Sequence, residues 1–353
     1  MAGGGGTRLW PLSRQSRPKH MLSLFHEQTL FQMAVHRLDG MFPPERIFVV
    51  TIETQVGELL AQCPEIPLEN YLVEPMPRGT AAVIGLASVA IQHKDPQAIM
   101  AVLTSDHFIE DEDRFRQLLS AAQDVARDRY LVTLGIQPTF SATGYGYIQR
   151  GAQLASYQGL AVYQVLRFKE KPDEATAQQL LAGGDHAWNS GMFVWQVDQI
   201  MDEFNRQMPG LAAYLAEIGH AWDTPEQHTT LQRVWSQLKA ETIDYGIMEG
   251  AQRVAVIPAA GLGWSDVGSW DTLFDVLDHD QNGNIILGKN FIGMDTHNSL
   301  VYADSIDRLI VTIGVNDLVV VDTGDALLIC QKEQAQKVRQ LVSQLKANGS
   351  KYL

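Results

Sequence analysis

"GTAAVIGLASVAIQHKDPQAIMAVLTSDH", residues 79–107, sets the fold class. Its first part, 79–94, is an Ala-rich run that predicts a helix. Residues 98–107, AIMAVLTSDH, predict a buried strand ending in polar residues. Upstream, RIFVVT (46–51) predicts another strand; downstream, DRFRQLLSAAQDVARD (113–128) predicts a helix and YLVTLGI (130–136) a strand. Strand and helix in alternation indicate an α/β domain with a mostly parallel sheet covered on both faces. Ligands bind such sheets at the carboxyl ends of strands, so chemistry is expected at strand ends.

After about residue 281 the texture changes. NIILG, NFIGMD, SLVYAD, RLIVTIGV, DLVVVDTG and ALLICQ are short β runs separated by turn residues, which predicts a small all-β unit, a β-helix or barrel-like appendage. The tail KEQAQKVRQLVSQLKANG (332–349) sets Val338, Leu341, Val342 and Leu345 at helical spacing with Gly349 as a stop. That helix is expected to dock on a core, with a helix-mediated homodimer contact as the alternative. The expected domains are therefore 1–280 and 281–353.

With 353 residues, 45% of them hydrophobic, the chain can bury a sizeable core. It contains no run of about 18 apolar residues and no apolar leader, which argues against a membrane span or secretion. Two cysteines, Cys63 and Cys330, without metal-ligand spacing, fit reduced thiols and a cytoplasmic location. A net charge of −14 repels nucleic acid and anionic membranes as general partners. Against that acidic body, residues 1–26 carry Arg8, Arg14, Arg17 and Lys19 and no carboxylate. Gly3–Gly6 stand directly before them, and glycine backbone with fixed cations suits a small phosphate polyanion. The stretch is neither a P-loop nor a dinucleotide fingerprint.

Other candidates lie further along. Asp106 in LTSDH and Asp266 in GLGWSDVGSW offer hard carboxylate oxygens of the kind Mg²⁺ takes beside substrate phosphates, although either can cap a turn. In RFKEKPD, Lys171 offers a point charge to a phosphate monoester and Glu170 accepts from sugar hydroxyls, or the triplet is a solvated strand end. Asn189 and Gly191 in WNSGMFVW offer an amide and close backbone approach. In VEPMPRGTAA, Thr80 reads as the N-cap of the following helix, while Glu74 with the amides around Gly79 and Thr80 supplies the acceptor and donors a guanine needs. Asp244 in ETIDYGIMEGA is a weaker candidate for the sugar side.

GGGGTRLWPLSRQSRPKHML, with LTSDH, TGYGY, EKP, WNSGMFVW and SDVG in order behind it, resembles the sugar-nucleotide pyrophosphorylases, most closely the mannose-1-phosphate guanylyltransferases. The resemblance covers nearly the whole chain. It implies a Rossmann-like nucleotidyltransferase domain with a mixed, mostly parallel sheet, followed by a small β-helix-like unit and a terminal helix. It implies transfer of GMP from GTP to mannose 1-phosphate, giving GDP-mannose and pyrophosphate with Mg²⁺ as cofactor. Under it, Asp106 and Asp266 hold the metal, and Arg8, Lys19 and Lys171 join them as the catalytic set. Gly4, Gly5, Gly6, Thr7, Glu74, Arg78, Gly79, Thr80 and Ser105 bind the nucleotide. Gly146, Glu170, Lys171, Asn189 and Gly191 bind the sugar phosphate.

Two features depart from that family. Only Met1 and Ala2 precede the glycines, where relatives have a hydrophobic strand, so a truncated or mis-assigned start is expected. His20 stands where relatives carry Gln. The length implies the monofunctional type, without an extra isomerase domain. A pyrophosphorylase for another base or sugar, and a silent regulatory binding homologue, stay open as alternatives.

Overall fold

The computed structural model describes residues 1–2, 7–25, 27–304 and 308–353. Along the chain its strands are β1 (Val49–Ile52), β2 (Tyr71–Glu74), β3 (Ile99–Val102), β4 (Phe108–Ile109), β5 (Leu131–Ile136), β6 (Tyr147–Tyr157), β7 (Leu160–Lys169), β8 (His186–Gln196) and β9 (Val254–Pro258). They continue with β10 (Trp264–Ser265), β11 (Ile285–Leu287), β12 (Phe291–His297), β13 (Leu300–Ala303), β14 (Ile310–Asn316), β15 (Leu318–Asp322) and β16 (Leu327–Gln331). The chain divides into two compact units that interleave in sequence. The first comprises 1–3, 37–104 and 110–262; the second comprises 4–36, 105–109 and 263–353.

The first unit is built on a six-stranded mixed sheet in the order β3-β8-β5-β9-β7-β6, with a separate parallel pair β1–β2. Met1 and Ala2 lie near both sets. The Ala2 amide donates to Val50 O at 2.9 Å, and the Met1 amine donates to Leu103 O at 2.9 Å. The α/β class and the mixed sheet are as expected, but parallel pairing is a smaller share than the alternation suggests. Within the six strands only β5–β9 is parallel. β8 runs antiparallel to both β3 and β5, and the β6–β7 hairpin is antiparallel, with β6 also pairing antiparallel with β8. A return strand and a hairpin need no crossover helix, so short apolar runs do not reveal their direction.

The Thr80–Lys94 helix buries Ala81 through Ala90 continuously, which is why Ala, Val, Ile and Leu surround it. It packs with Phe193, Trp195, Phe204 and Trp235 in the core of this unit. At its start the structure corrects one expectation. The N-cap residue is Gly79, and Thr80 is the first helical residue, its hydroxyl accepting the Ile243 amide at 2.9 Å. Gly79 has φ 82°, and a Cβ there would collide with the Glu241 backbone. Gly79→Ala is therefore expected to destabilise the protein by roughly 2–4 kcal/mol, measured by chemical unfolding.

All six predicted C-terminal β runs form strands, in the second unit. β11, β13 and β15 stack in parallel, β12 and β14 form a second parallel pair, and β16 closes antiparallel on β15. Parallel strands recurring at short sequence intervals are the geometry of a β-helix. The tail forms a 3₁₀ turn and then the Val338–Ala347 helix, which ends before Gly349 at φ 61°. Val338 and Val342 are buried in this unit's core with Leu9, Trp10 and Trp270, so the tail helix docks as expected. Among the described residues no helix is long and apolar enough to cross a membrane.

Candidate active site

Within the second unit, two short strands bring distant acids together. β4 and β10 pair antiparallel, Ser265 opposite Phe108 and Trp264 opposite Ile109. One step further along that register places Asp266 beside His107, next to Asp106. Asp106 thus lies beyond the end of β3, on the segment that leaves it, with Ser105 buried beside it.

Lys19 joins the two acidic residues. Its Nζ lies 2.6 Å from Asp106 Oδ2 and donates to the Asp266 carbonyl oxygen at 2.6 Å. Those two oxygens can therefore be no further apart than twice that distance. Lys19 is only 7% exposed, and these two oxygens engage two of its three donors. Burial opposes ionisation of Asp106, but the Lys19 ammonium, with His107 and His20 nearby, outweighs it and holds the carboxyl well below the usual carboxylate range. Arg8 Nη2 stands 3.9 Å from Asp266 Oδ2 and its side chain is 38% exposed. Thr7 opens the same 3₁₀ turn, Thr7–Leu9. Gly4, Gly5 and Gly6 lie outside the described residues.

Asp266 is fixed by its own turn. Gly268 donates its amide to Asp266 Oδ1 at 3.0 Å, and Val267 takes φ 46°. A Cβ on Gly268 would meet Asp266 Oδ2 at 2.6 Å, so only glycine leaves the carboxylate in place. The pair His107–Trp264 was not visible as a site feature in the sequence. Trp264 Nε1 donates to His107 Nδ1 at 3.1 Å, and His107 Nε2 faces Asp106 Oδ1 at 3.8 Å. An indole is a donor only, so this bond makes Nδ1 the acceptor and leaves the proton on Nε2. Asp106 and Asp266 each offer hard carboxylate oxygens of the kind a divalent cation takes as ligands, and the Asp106 carboxylate and the Asp266 backbone oxygen share the Lys19 ammonium.

The other predicted residues lie in the first unit and fall into two groups. Glu74 ends β2, 3% exposed, with Oε2 lacking a hydrogen-bond partner among the described residues. Burial pushes its carboxyl up to about 7, opposed by the Arg78 backbone amide that donates to it. The Arg78 guanidinium is engaged elsewhere, donating to Ser236 O at 2.8 Å and Trp235 O at 3.3 Å. Its side chain thus anchors the loop, and only its amide addresses Glu74.

The second group surrounds Gly146. The Gly146 carbonyl accepts the Asn189 amide at 2.8 Å, and a Cβ on Gly146 would collide with Glu170 Oε2. Asn189 Nδ2 donates to Asp244 Oδ1 at 2.6 Å, and Asn189 Oδ1 accepts the Gly191 amide at 3.1 Å. One donor hydrogen and one lone pair of that amide remain for a ligand. Gly191 has φ 68°, which glycine adopts without strain. Lys171, at φ 42°, reaches Glu170 Oε1 at 2.7 Å and is otherwise exposed. Asp244 opens a single π-helical turn, Asp244–Met248, and burial raises its pKa despite the Asn189 bond, with Glu170 adding to the rise. Its ETID context gave only a weak signal in the sequence; its contact with Asn189 makes it a full member of this group.

Residues 1–283 match the nucleotidyl transferase family, and residues 289–345 match the mannoseP isomerase/GMP-like beta-helix domain. The chain belongs to the nucleotidyl transferase family, and it is an enzyme of that type. Among its relatives is a mannose-1-phosphate guanylyltransferase of Escherichia coli (strain K12), 38% identical over 99% of this chain and 73% of the relative. A mannose-1-phosphate guanylyltransferase of Klebsiella pneumoniae is 36% identical over the same shares. A solved structure from Thermus thermophilus, described as a mannose-1-phosphate geranyltransferase, is 34% identical with a TM-score of 0.87, covering 98% of both chains. A Helicobacter pylori mannose-6-phosphate isomerase structure, 24% identical with a TM-score of 0.60 over 71% of this chain and 96% of its own, shares the fold.

Proposed function

We propose that this chain transfers GMP from GTP to mannose 1-phosphate, releasing pyrophosphate and GDP-mannose. The observation that carries the reading is the buried Lys19 ammonium holding Asp106 and the Asp266 backbone together beside Arg8. The choice of substrates draws on the relatives named mannose-1-phosphate guanylyltransferase.

A phosphate oxygen of mannose 1-phosphate attacks the α-phosphorus of GTP. The new O–P bond forms as the bond from that phosphorus to the bridging oxygen breaks, and pyrophosphate departs with the electron pair. This reaction needs positioning and charge neutralisation rather than a covalent nucleophile. Asp106 and Asp266 would hold Mg²⁺, which when bound supplies positive charge to the phosphate oxygens. Arg8 and Lys19 stabilise the charge that builds on the leaving pyrophosphate, with the Gly4–Gly6 amides, Thr7 and Ser105 at the nucleotide. Lys171 meets the phosphate of the sugar. Glu170, Asn189, Gly191 and Gly146 orient its hydroxyls, with Asp244 fixing Asn189.

Glu74, with the amides of Gly79 and Thr80, reads the base. A carboxylate accepts from guanine N1–H and the exocyclic amine together, a pair of donors that adenine lacks. Recognition therefore requires Glu74 ionised, and its carboxyl titrates near 7. KM for GTP is expected to fall as pH rises from about 6 to 8, and to lose that dependence in Glu74→Gln. The sign for stability is opposite. A carboxyl raised in the folded state is harder to ionise there, so the protein loses stability as pH climbs from the ordinary value of 4.5 through 7. Glu74→Gln removes that loss, and unfolding curves at pH 5 and 8 measure it, on the order of 2 kcal/mol.

The deciding experiment is pyrophosphate release with mannose 1-phosphate and, separately, GTP, ATP and UTP. Turnover confined to GTP supports the reading. A preference for ATP or UTP overturns the base assignment, and no turnover by well-folded protein overturns catalysis.

A further inference from the structure

The TRLWPLSR segment (7–14) is held by the C-terminal part of its own unit. Trp10 Nε1 donates to the Tyr352 carbonyl at 2.7 Å, and Trp270 Nε1 donates to the Trp10 carbonyl at 3.0 Å. Trp10 is 9% exposed and Trp270 is fully buried. The Val338–Ala347 helix packs on the Thr7–Leu9 turn, where Leu9 is also fully buried. Arg14 closes the far end, its guanidinium gripping Asp325 through both oxygens at 2.8 and 3.2 Å and reaching Thr323 Oγ1 at 3.3 Å. Arg14 is thus committed to the β15–β16 turn rather than to a ligand, while Arg8 stays at 3.9 Å from Asp266 and partly exposed.

A side chain that neutralises charge in a transition state must be held in place, since small displacements cost rate steeply. Arg8 has a long flexible stem, so its placement depends on the turn that carries it. Buried indole donors bound to backbone oxygens are directional, and breaking one leaves a carbonyl without its donor.

We propose that Trp10 is the positioning residue for Arg8. Its indole, held by the Tyr352 carbonyl, and its own carbonyl, held by the Trp270 indole, fix the Thr7–Leu9 turn, so Trp270 and the chain end after the Val338–Ala347 helix set the phosphate clamp. The proposal rests on the reading of Arg8 as a pyrophosphate ligand.

The test compares wild type, Trp10→Phe, Arg8→Ala and the double variant, with two readouts: calorimetric binding of inorganic pyrophosphate, and kcat with GTP and mannose 1-phosphate. Phe keeps the ring and removes the donor. Trp10→Phe is expected to weaken pyrophosphate binding and lower kcat by about tenfold each, with KM for mannose 1-phosphate unchanged. In the Arg8→Ala background the same substitution should cost less than about twofold, because the partner through which it acts is gone. Equal losses in both backgrounds would show Trp10 to be merely structural, and wild-type binding by Trp10→Phe would also overturn the inference. If Arg8→Ala itself binds pyrophosphate normally, the Arg8 reading fails and the inference with it. If Arg8→Ala loses binding and Trp10→Phe does not, only the inference fails. Trp270→Phe, which acts on the other side of Trp10, should reproduce the pattern and serves if Trp10→Phe does not fold.

Discussion

Asp106→Asn is expected to lower turnover by roughly 10³-fold or more, beyond the effect of deleting a single transition-state donor. The substitution removes a carboxylate proposed to hold the metal, and it also leaves the Lys19 ammonium buried beside a neutral amide. Losing that ion pair also frees the Lys19 side chain from its fixed position, which weakens its own action on the leaving group. Stability should fall by about 2 kcal/mol. That is less than the cost of breaking a fully buried pair, because a third of the Asp106 side chain is exposed. Acid unfolding gives an independent check. The Asp106 carboxyl is depressed in the folded state, so its contribution is whole above the ordinary value of 3.8 and fades as pH falls below it. Wild type should lose stability more steeply than Asp106→Asn below about pH 4. Parallel acid-unfolding profiles for the two proteins would contradict the ion pair.

Arg8→Ala should cost about 10²- to 10³-fold in turnover, by the usual loss of about 2.7–4 kcal/mol when one transition-state donor is removed. Its stability signature should differ from that of Asp106→Asn. Arg8 is partly exposed and stands 3.9 Å from its carboxylate partner, a geometry that contributes little to folding. Melting temperature should therefore hold while kcat falls, with KM for mannose 1-phosphate unchanged. Arg8→Lys should restore part of the rate, since an ammonium supplies the charge without the planar fork. Near-normal turnover by Arg8→Ala would remove Arg8 from the mechanism.

Much of this arrangement was legible in the residues, for identifiable reasons. The Thr80–Lys94 helix and the six C-terminal strands follow from apolar runs bounded by turn residues. Asp106 and Asp266 stand out as carboxylates at the end of an apolar run and among glycines, although a turn cap accounts for either, and Asp266 Oδ1 does accept the Gly268 amide. What was hidden depends on long sequence separations. β4 and β10 are two residues each, too short for any periodicity, yet their register brings the acids together. Lys19 and Arg14 look alike in the sequence. One bonds the Asp266 backbone 247 positions away, and the other bonds Asp325, 311 positions away. Arg78, expected at the nucleotide, sends its guanidinium to the Trp235 and Ser236 carbonyls, 157 and 158 positions away. Strand direction was hidden too, because a buried run such as FVVT or LVTLGI is equally apolar whichever way its neighbour runs.

The way the backbone weaves between units bears on how the protein can be cut and recombined. Residues 4–36 and 105–109 belong with 263–353. A chimera that exchanges everything after residue 280 for a relative's segment would keep Leu9 and Trp10 but give them foreign packing partners. Such grafts should work only when the amino-terminal motif travels with the carboxyl-terminal half, and a protease nick near 280 should leave two fragments that co-elute until denatured.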